Sequence, residues 1–190
     1  MYSIIHMRSP RERMVVSAAL LIRERGAHAT AISDVLEHSG APRGSAYHYF
    51  PGGRTQLLRE AVDFAGEHVA GIITEAANGG ELWDTLIDKY RRQLLDSDFR
   101  AGCPVVAVSV EADEDTVIER AAAAFDQWTD LIAQRLIADG VTADRANDLA
   151  VLATSALEGA IVLARVRRDL TPLDVVHRQL RVVFEKGSPQ

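Results

Sequence analysis

At 190 residues the chain has room for one medium domain or two small ones with a sizeable core. Its 47% hydrophobic and 25% charged residues are ordinary for a soluble globular protein, and the formal net charge of −6 argues, taken alone, against a nucleic-acid partner. The charge is uneven, however: the first 60 residues carry eight Arg against five carboxylates, net +3, which leaves −9 on the rest. A basic N-terminal third on an acidic body fits a phosphate-facing module joined to something that avoids DNA. The single Cys103 excludes an intrachain disulfide and suits a reducing cytoplasm. The opening MYSIIHMRSP has no signal-peptide core, and apolar runs such as Ala18 to Ile22 and Ala160 to Ala164 fall far short of the roughly 20 residues that span a bilayer. A soluble, cytoplasmic protein with no membrane partner is expected.

In chain order, residues 1–8 read as a loose arm, and Ser9-Pro10-Arg11-Glu12 is a capping box with proline at the first helical position. The helix it opens runs to about Arg25, buries Val15, Ala18, Ala19 and Ile22, and stops at Gly26. Arg8, Arg11 and Arg13 cluster at its start, either beside a DNA backbone or simply solvated. Thr30 can cap a second helix through its hydroxyl, with Ile32, Val35 and Leu36 on the apolar face. Ser39-Gly40-Ala41 makes a tight turn, and Pro42 suits the first position of a third helix to Tyr49. That helix is too short and polar to be core. Ala46 and Phe50 can pack inward, leaving Arg43, Ser45, Tyr47 and His48 outside as a reading head for DNA. The whole stretch from Thr30 to Leu58 reads as a helix-turn-helix.

Gly53 and Arg54 begin a long linking helix to about Asn78, striped by Leu57, Leu58, Ala61, Val62, Ala65, Val69, Ile72 and Ile73. Asn78-Gly79-Gly80 breaks it. Glu81 to Asp96 forms the next helix, and 97–102 a loop. Pro104 to Ala112, PVVAVSVEA, alternates like a strand, but a lone strand among helices has no partner, so a short buried helix is expected. Asp113 or Asp115 caps a long helix to about Ala138, Thr142 opens another to about Arg168, and Thr171-Pro172-Leu173-Asp174 opens the last, ending near Glu185. The final two helices are apolar on more than one face, and Ala156, Gly159 and Ala160 would let another helix come close. Either they lie wholly inside a bundle or they form the interface of a homodimer.

Residues 13–62 resemble the DNA-binding region of the TetR-type bacterial repressors. The matching features are Gly26, Thr30, Gly40 and the run Gly44-Ser45-Ala46-Tyr47-His48-Tyr49-Phe50. Where that family usually has Ser-Lys-Glu, this chain has the longer Pro51-Gly52-Gly53-Arg54-Thr55, with Arg54 in place of the lysine, which resembles the LmrA/YxaF-like branch. The resemblance implies an all-α fold with a helix-turn-helix domain over 1–53, a linking helix over 54–78, and an effector-binding and dimerisation domain over 79–190. It also implies a homodimer through the last two helices.

No catalytic constellation is present in the sequence. Cys103 has no activating neighbour, the histidines lack metal-ligand spacing, and Gly52-Gly53 alone is a turn, so no enzyme, metal or cofactor is expected. Arg43 is placed to read guanine in the major groove, while Gly44 and Ser45 allow close approach to base edges. Tyr47 and His48 match family positions that bond phosphates, Thr30 sits at a helix N-terminus suited to a phosphate, and Arg54 would meet the DNA backbone. The same resemblance implies an effector pocket, for which Trp83, Tyr90, Phe99, Cys103, Val106, Phe125, Trp128 and Glu158 are candidates. The expected protein is a ligand-responsive repressor released from a near-palindromic operator by a small apolar or aromatic effector. An activator of the same fold, or an all-helical small-molecule binder with a vestigial head, would carry the same features.

Overall fold

The structure, a computed structural model, describes residues 9–185. Among them are nine α-helices and no strand: α1 (Pro10–Arg25), α2 (Ile32–Ser39), α3 (Ser45–Tyr49), α4 (Gly53–Glu75), α5 (Gly79–Asp96), α6 (Pro104–Glu111), α7 (Asp115–Ala138), α8 (Ala143–Arg167) and α9 (Thr171–Glu185). The all-α expectation holds, and PVVAVSVEA is helical, with Val105 and Val108 buried. The described chain forms two compact units. One comprises residues up to Glu67 together with Ala101–Ala124, and the other His68–Arg100 together with Phe125 onward. These units differ from a division at the Asn78-Gly79-Gly80 break, because α6 and the start of α7 fold with the N-terminal helices.

In the first unit the capping box forms: Glu12 N–H donates to Ser9 Oγ at 3.2 Å, and Ser9 N–H to the Glu12 carboxylate at 3.1 Å. Gly26 ends α1 at φ +89°, a backbone that strains any residue with a Cβ. Gly40, left-handed at φ +64°, ends α2. Two local expectations are corrected. Thr30 does not cap α2; the cap is Ala31, whose N–H is taken by the Asp34 carboxylate at 3.3 Å. Pro42 is not the first residue of α3 but lies in the turn before it. Its carbonyl accepts from Ser45 N–H (2.9 Å) and Ser45 Oγ–H (2.6 Å), so the helix begins only at Ser45.

In the second unit Asn78 caps α5, its Oδ1 accepting from Glu81 N–H at 2.9 Å, so α5 starts at Gly79 rather than Glu81. The α5 and α9 helices pack closely and are joined by polar staples. Arg91 pairs with Asp174 at 2.6 Å, His177 Nε2 lies 2.7 Å from Asp84, and Arg181 also pairs with Asp84. Trp83 stacks on Phe184 with centroids 5.4 Å apart. Arg8 and the rest of the arm lie outside the described residues.

The same unit holds a pH-sensitive group. Burial pushes the His68 imidazole from the usual 6.5 down to about 4, and the Lys89 ammonium adds to the shift. Because the folded value is the lower one, the unfolded chain takes up this proton first as pH falls. Stability from this source is therefore whole above about pH 6.5 and erodes down to about pH 4. Urea unfolding should show a lower midpoint at pH 5 than at pH 7.5, and His68→Gln should shrink that difference.

Candidate DNA-reading head and ligand cavity

The head is built on a few buried side chains. Phe50 is 1% exposed and Ala46 is likewise buried, so α3 is pinned by one face of one and a half turns. The Arg11 guanidinium sits over the Phe50 ring, 5.4 Å from its centroid. What remains faces out. Arg43, Gly44 and His48 are exposed, Tyr47 is 75% exposed, and the His48 and Tyr49 rings meet edge-on at 5.1 Å. A Cβ on Gly44 would meet nothing within 4 Å, so the fold itself does not require glycine there. Arg43 in the turn before α3, and Tyr47 and His48 on the helix, are exposed side chains of the types that can read guanine and bond phosphates.

The other predicted DNA residues are placed differently. Ser45 is half-buried and its hydroxyl is spent on the Pro42 carbonyl. Thr30 is 2% exposed, and its hydroxyl donates to the Gly26 carbonyl at 2.8 Å. Arg54 turns inward: its Nε donates to the Thr30 carbonyl at 3.2 Å, an Nη donates to the Ala27 carbonyl, and the other Nη lies 3.7 Å from Glu114. Both residues brace the corner between α1 and α2. Arg11, on the surface, and the half-buried Arg13 both have partners within the chain. Arg11 pairs with Glu60 at 2.7 Å, and Arg13 Nε donates to the Ser39 carbonyl at 3.1 Å.

The second unit contains a narrow apolar cavity. Its walls are Val69 and Ile73 from α4, Trp83, Leu86 and Tyr90 from α5, Trp128 and Ile132 from α7, and Ala153, Thr154, Leu157 and Glu158 from α8. The cavity is about 20 Å³, room for one water. Four predicted effector residues, Trp83, Tyr90, Trp128 and Glu158, meet here; the other four do not. Phe125 packs edge-on against Trp128 at 5.3 Å and is not a wall. Phe99 lies in the loop after α5 with left-handed backbone (φ +57°), 6.0 Å from the Arg168 guanidinium. Cys103, buried, and Val106 fold with the first unit. Thr154 was missed. Its buried Oγ1 has no hydrogen-bond partner among the described residues, and it stands one turn before Glu158, a spacing that sequence could have offered. The Trp83 indole N–H donates outward to the His177 carbonyl of α9 at 3.2 Å.

A helix-turn-helix head in a chain whose described residues are otherwise all helical fits a bacterial DNA-binding regulator. Residues 15–61 match the bacterial regulatory proteins of the TetR family, and residues 81–179 match the C-terminal domain of LmrA/YxaF-like transcriptional regulators. An HTH-type transcriptional regulator of Mycobacterium tuberculosis is 76% identical over 97% of this chain and 98% of its own. The fold is close to that of a TetR regulator from Legionella pneumophila, with TM-score 0.83 at 18% identity, covering 94% of this chain and 99% of that one. It is also close to the TetR-family regulator CifR, a cysteine mutant solved with 26-bp double-strand operator DNA, with TM-score 0.72 at 25% identity over 90% of this chain and 94% of that one. The chain belongs to the TetR family of transcriptional regulators, in its LmrA/YxaF-like branch. It is a non-enzymatic, DNA-binding transcription factor of a family that binds operators as dimers.

Proposed function

We propose that this regulator is a cytoplasmic, homodimeric repressor whose hold on a near-palindromic operator is released by a small apolar or aromatic effector. The observation that carries the ligand-responsive part is the cavity of the second unit, where three aromatic rings converge with Thr154 and Glu158. A cavity with room for one water must open to admit such a ligand. Two of its walls, Val69 and Ile73, belong to α4, whose first turn follows the reading head. An effector that displaces them shifts α4 and changes the separation of the two heads. A coupling of about 1–3 kcal/mol between the two sites is enough to release the operator. The dimer is assigned to α8 and α9. On them Leu152, Leu163 and Val166 are exposed, and a groove of about 360 Å³ runs between Gly159, Leu163 and Val175. No intrachain neighbour lies within 4 Å of where a Cβ on Gly159 would stand, which leaves space for a partner helix.

The test is fluorescence-anisotropy binding to duplex DNA from upstream of the regulator's own gene, against a scrambled duplex, at about 150 mM salt, where unspecific phosphate attraction is weak. Selective binding with an even number of subunits per site, reversed by an apolar aromatic compound, is expected. Equal weak binding to both duplexes would count against repression at that site. Arg43→Ala should lose about 1–3 kcal/mol of affinity for the selected duplex while its binding to the scrambled one stays nearly unchanged. An unaltered sequence preference would remove Arg43 from the reading role.

A further inference from the structure

The corner between α1 and α2, residues 26–30, is held from two sides. Arg54 reaches it from α4 through the carbonyls of Ala27 and Thr30. From the other side comes Glu111, the last residue of α6, whose Oε2 accepts from the His28 N–H at 3.2 Å. The fit is close enough that a Cβ on Gly26 would overlap the Glu111 carboxylate, so the glycine serves this contact as well as its positive φ. Around this contact α6 is tied to the head by further bonds. Gly102 N–H donates to the Arg23 carbonyl at 2.7 Å, and Glu114 accepts from Thr55 Oγ1 at 3.4 Å. These residues come from the C-terminal half of the sequence, yet they fold in one unit with the helix-turn-helix.

We propose that Glu111 is a positioning residue for DNA recognition: its carboxylate seats the α1–α2 corner and so sets the angle at which α2 and α3 leave α1. The side chain has no ion-pair partner among the described residues, so the seat needs an acceptor oxygen and side-chain bulk and does not need the charge. This role requires DNA binding alone and neither effector nor dimer geometry. Loss of the seat leaves the His28 amide to water and lets the corner rotate, while Phe50 and Ala46 keep α3 folded.

The test uses the full-length protein and three forms: wild type, Glu111→Ala and Glu111→Gln. The DNA is the duplex that the wild type selects from a random-sequence library, and amide hydrogen exchange is followed in parallel without DNA. The alanine variant should bind the selected duplex about fivefold more weakly or worse, as expected for one lost hydrogen bond and its geometry. It should also speed exchange over 27–50 with little change over 125–180. The glutamine variant keeps an acceptor oxygen and should restore both readouts. Three results overturn the proposal: unchanged exchange over 27–50 in the alanine variant, faster exchange spread evenly over both units, or a glutamine variant that behaves like alanine. If no duplex is selected, specific DNA reading fails on its own, and the exchange pattern still decides the seat.

Discussion

Phe50→Ala is expected to unfold the head and abolish operator binding while the second unit stays helical. Phe50 is 1% exposed, its N–H donates to the Ala46 carbonyl at 2.8 Å, and its own carbonyl accepts from Gly53 N–H at 2.8 Å. It therefore closes α3 and opens the turn into α4 with one residue. Removing a buried phenylalanine ring costs about 3–5 kcal/mol. A small domain has about 5–15 kcal/mol in total, so the head would keep little of its stability. The lost ring also removes the surface on which the Arg11 guanidinium rests. Urea unfolding followed by far-UV circular dichroism should show an early transition with part of the helical signal, then a second near the wild-type midpoint. A single transition at the wild-type midpoint, with operator binding intact, would show that α3 is held by something other than Phe50.

Much of the fold was legible because helix ends announce themselves locally. Ser9 and Glu12 satisfy each other's amides within four residues, Gly40 supplies its own left-handed turn, and the apolar stripes of α5 and α7 repeat with helical period. The exposure of Arg43, Tyr47 and His48 was legible as well, because Ala46 and Phe50 take the inward positions of the segment. Thr30 was misread as a cap, and the partners of Arg54 were not legible, because both sets of contacts are set by tertiary geometry. A threonine before an apolar run looks like a cap, yet here its hydroxyl answers the Gly26 carbonyl. An arginine after a glycine turn looks like a phosphate ligand, yet here it meets carbonyls 24 and 27 residues earlier. The cavity was half legible. Aromatic spacing gathers Trp83, Tyr90 and Trp128 on inward faces but cannot say that Phe125 packs behind the wall or that 101–124 fold with the head.

Charging the outer face of α8 should separate the subunits and cost most of the operator affinity. By length and composition α8 could cross a membrane, with a mean hydropathy of 1.7 over its best window. Two faces account for that apolarity. Leu149, Ala153, Leu157, Ala160 and Ala164 are buried within the chain, while Leu152, Val162, Leu163 and Val166 fall on one exposed arc of the helix. An apolar stripe opposite a buried one suits a second protein surface, and the two-fold symmetry of operator half-sites suits a second copy. Leu163 is 47% exposed and Val166 78%, so Leu163→Glu with Val166→Glu should leave the monomer fold almost unchanged. In the proposed dimer four carboxylates would meet across the axis, desolvated and of like sign. Sedimentation should give a monomer at concentrations where the wild type is a dimer. Operator affinity should fall by roughly 10²–10⁴-fold, because each head then binds its half-site without the other's effective concentration. A double variant that still sediments as a dimer would move the interface off α8, and a monomer with wild-type affinity would mean that one head suffices.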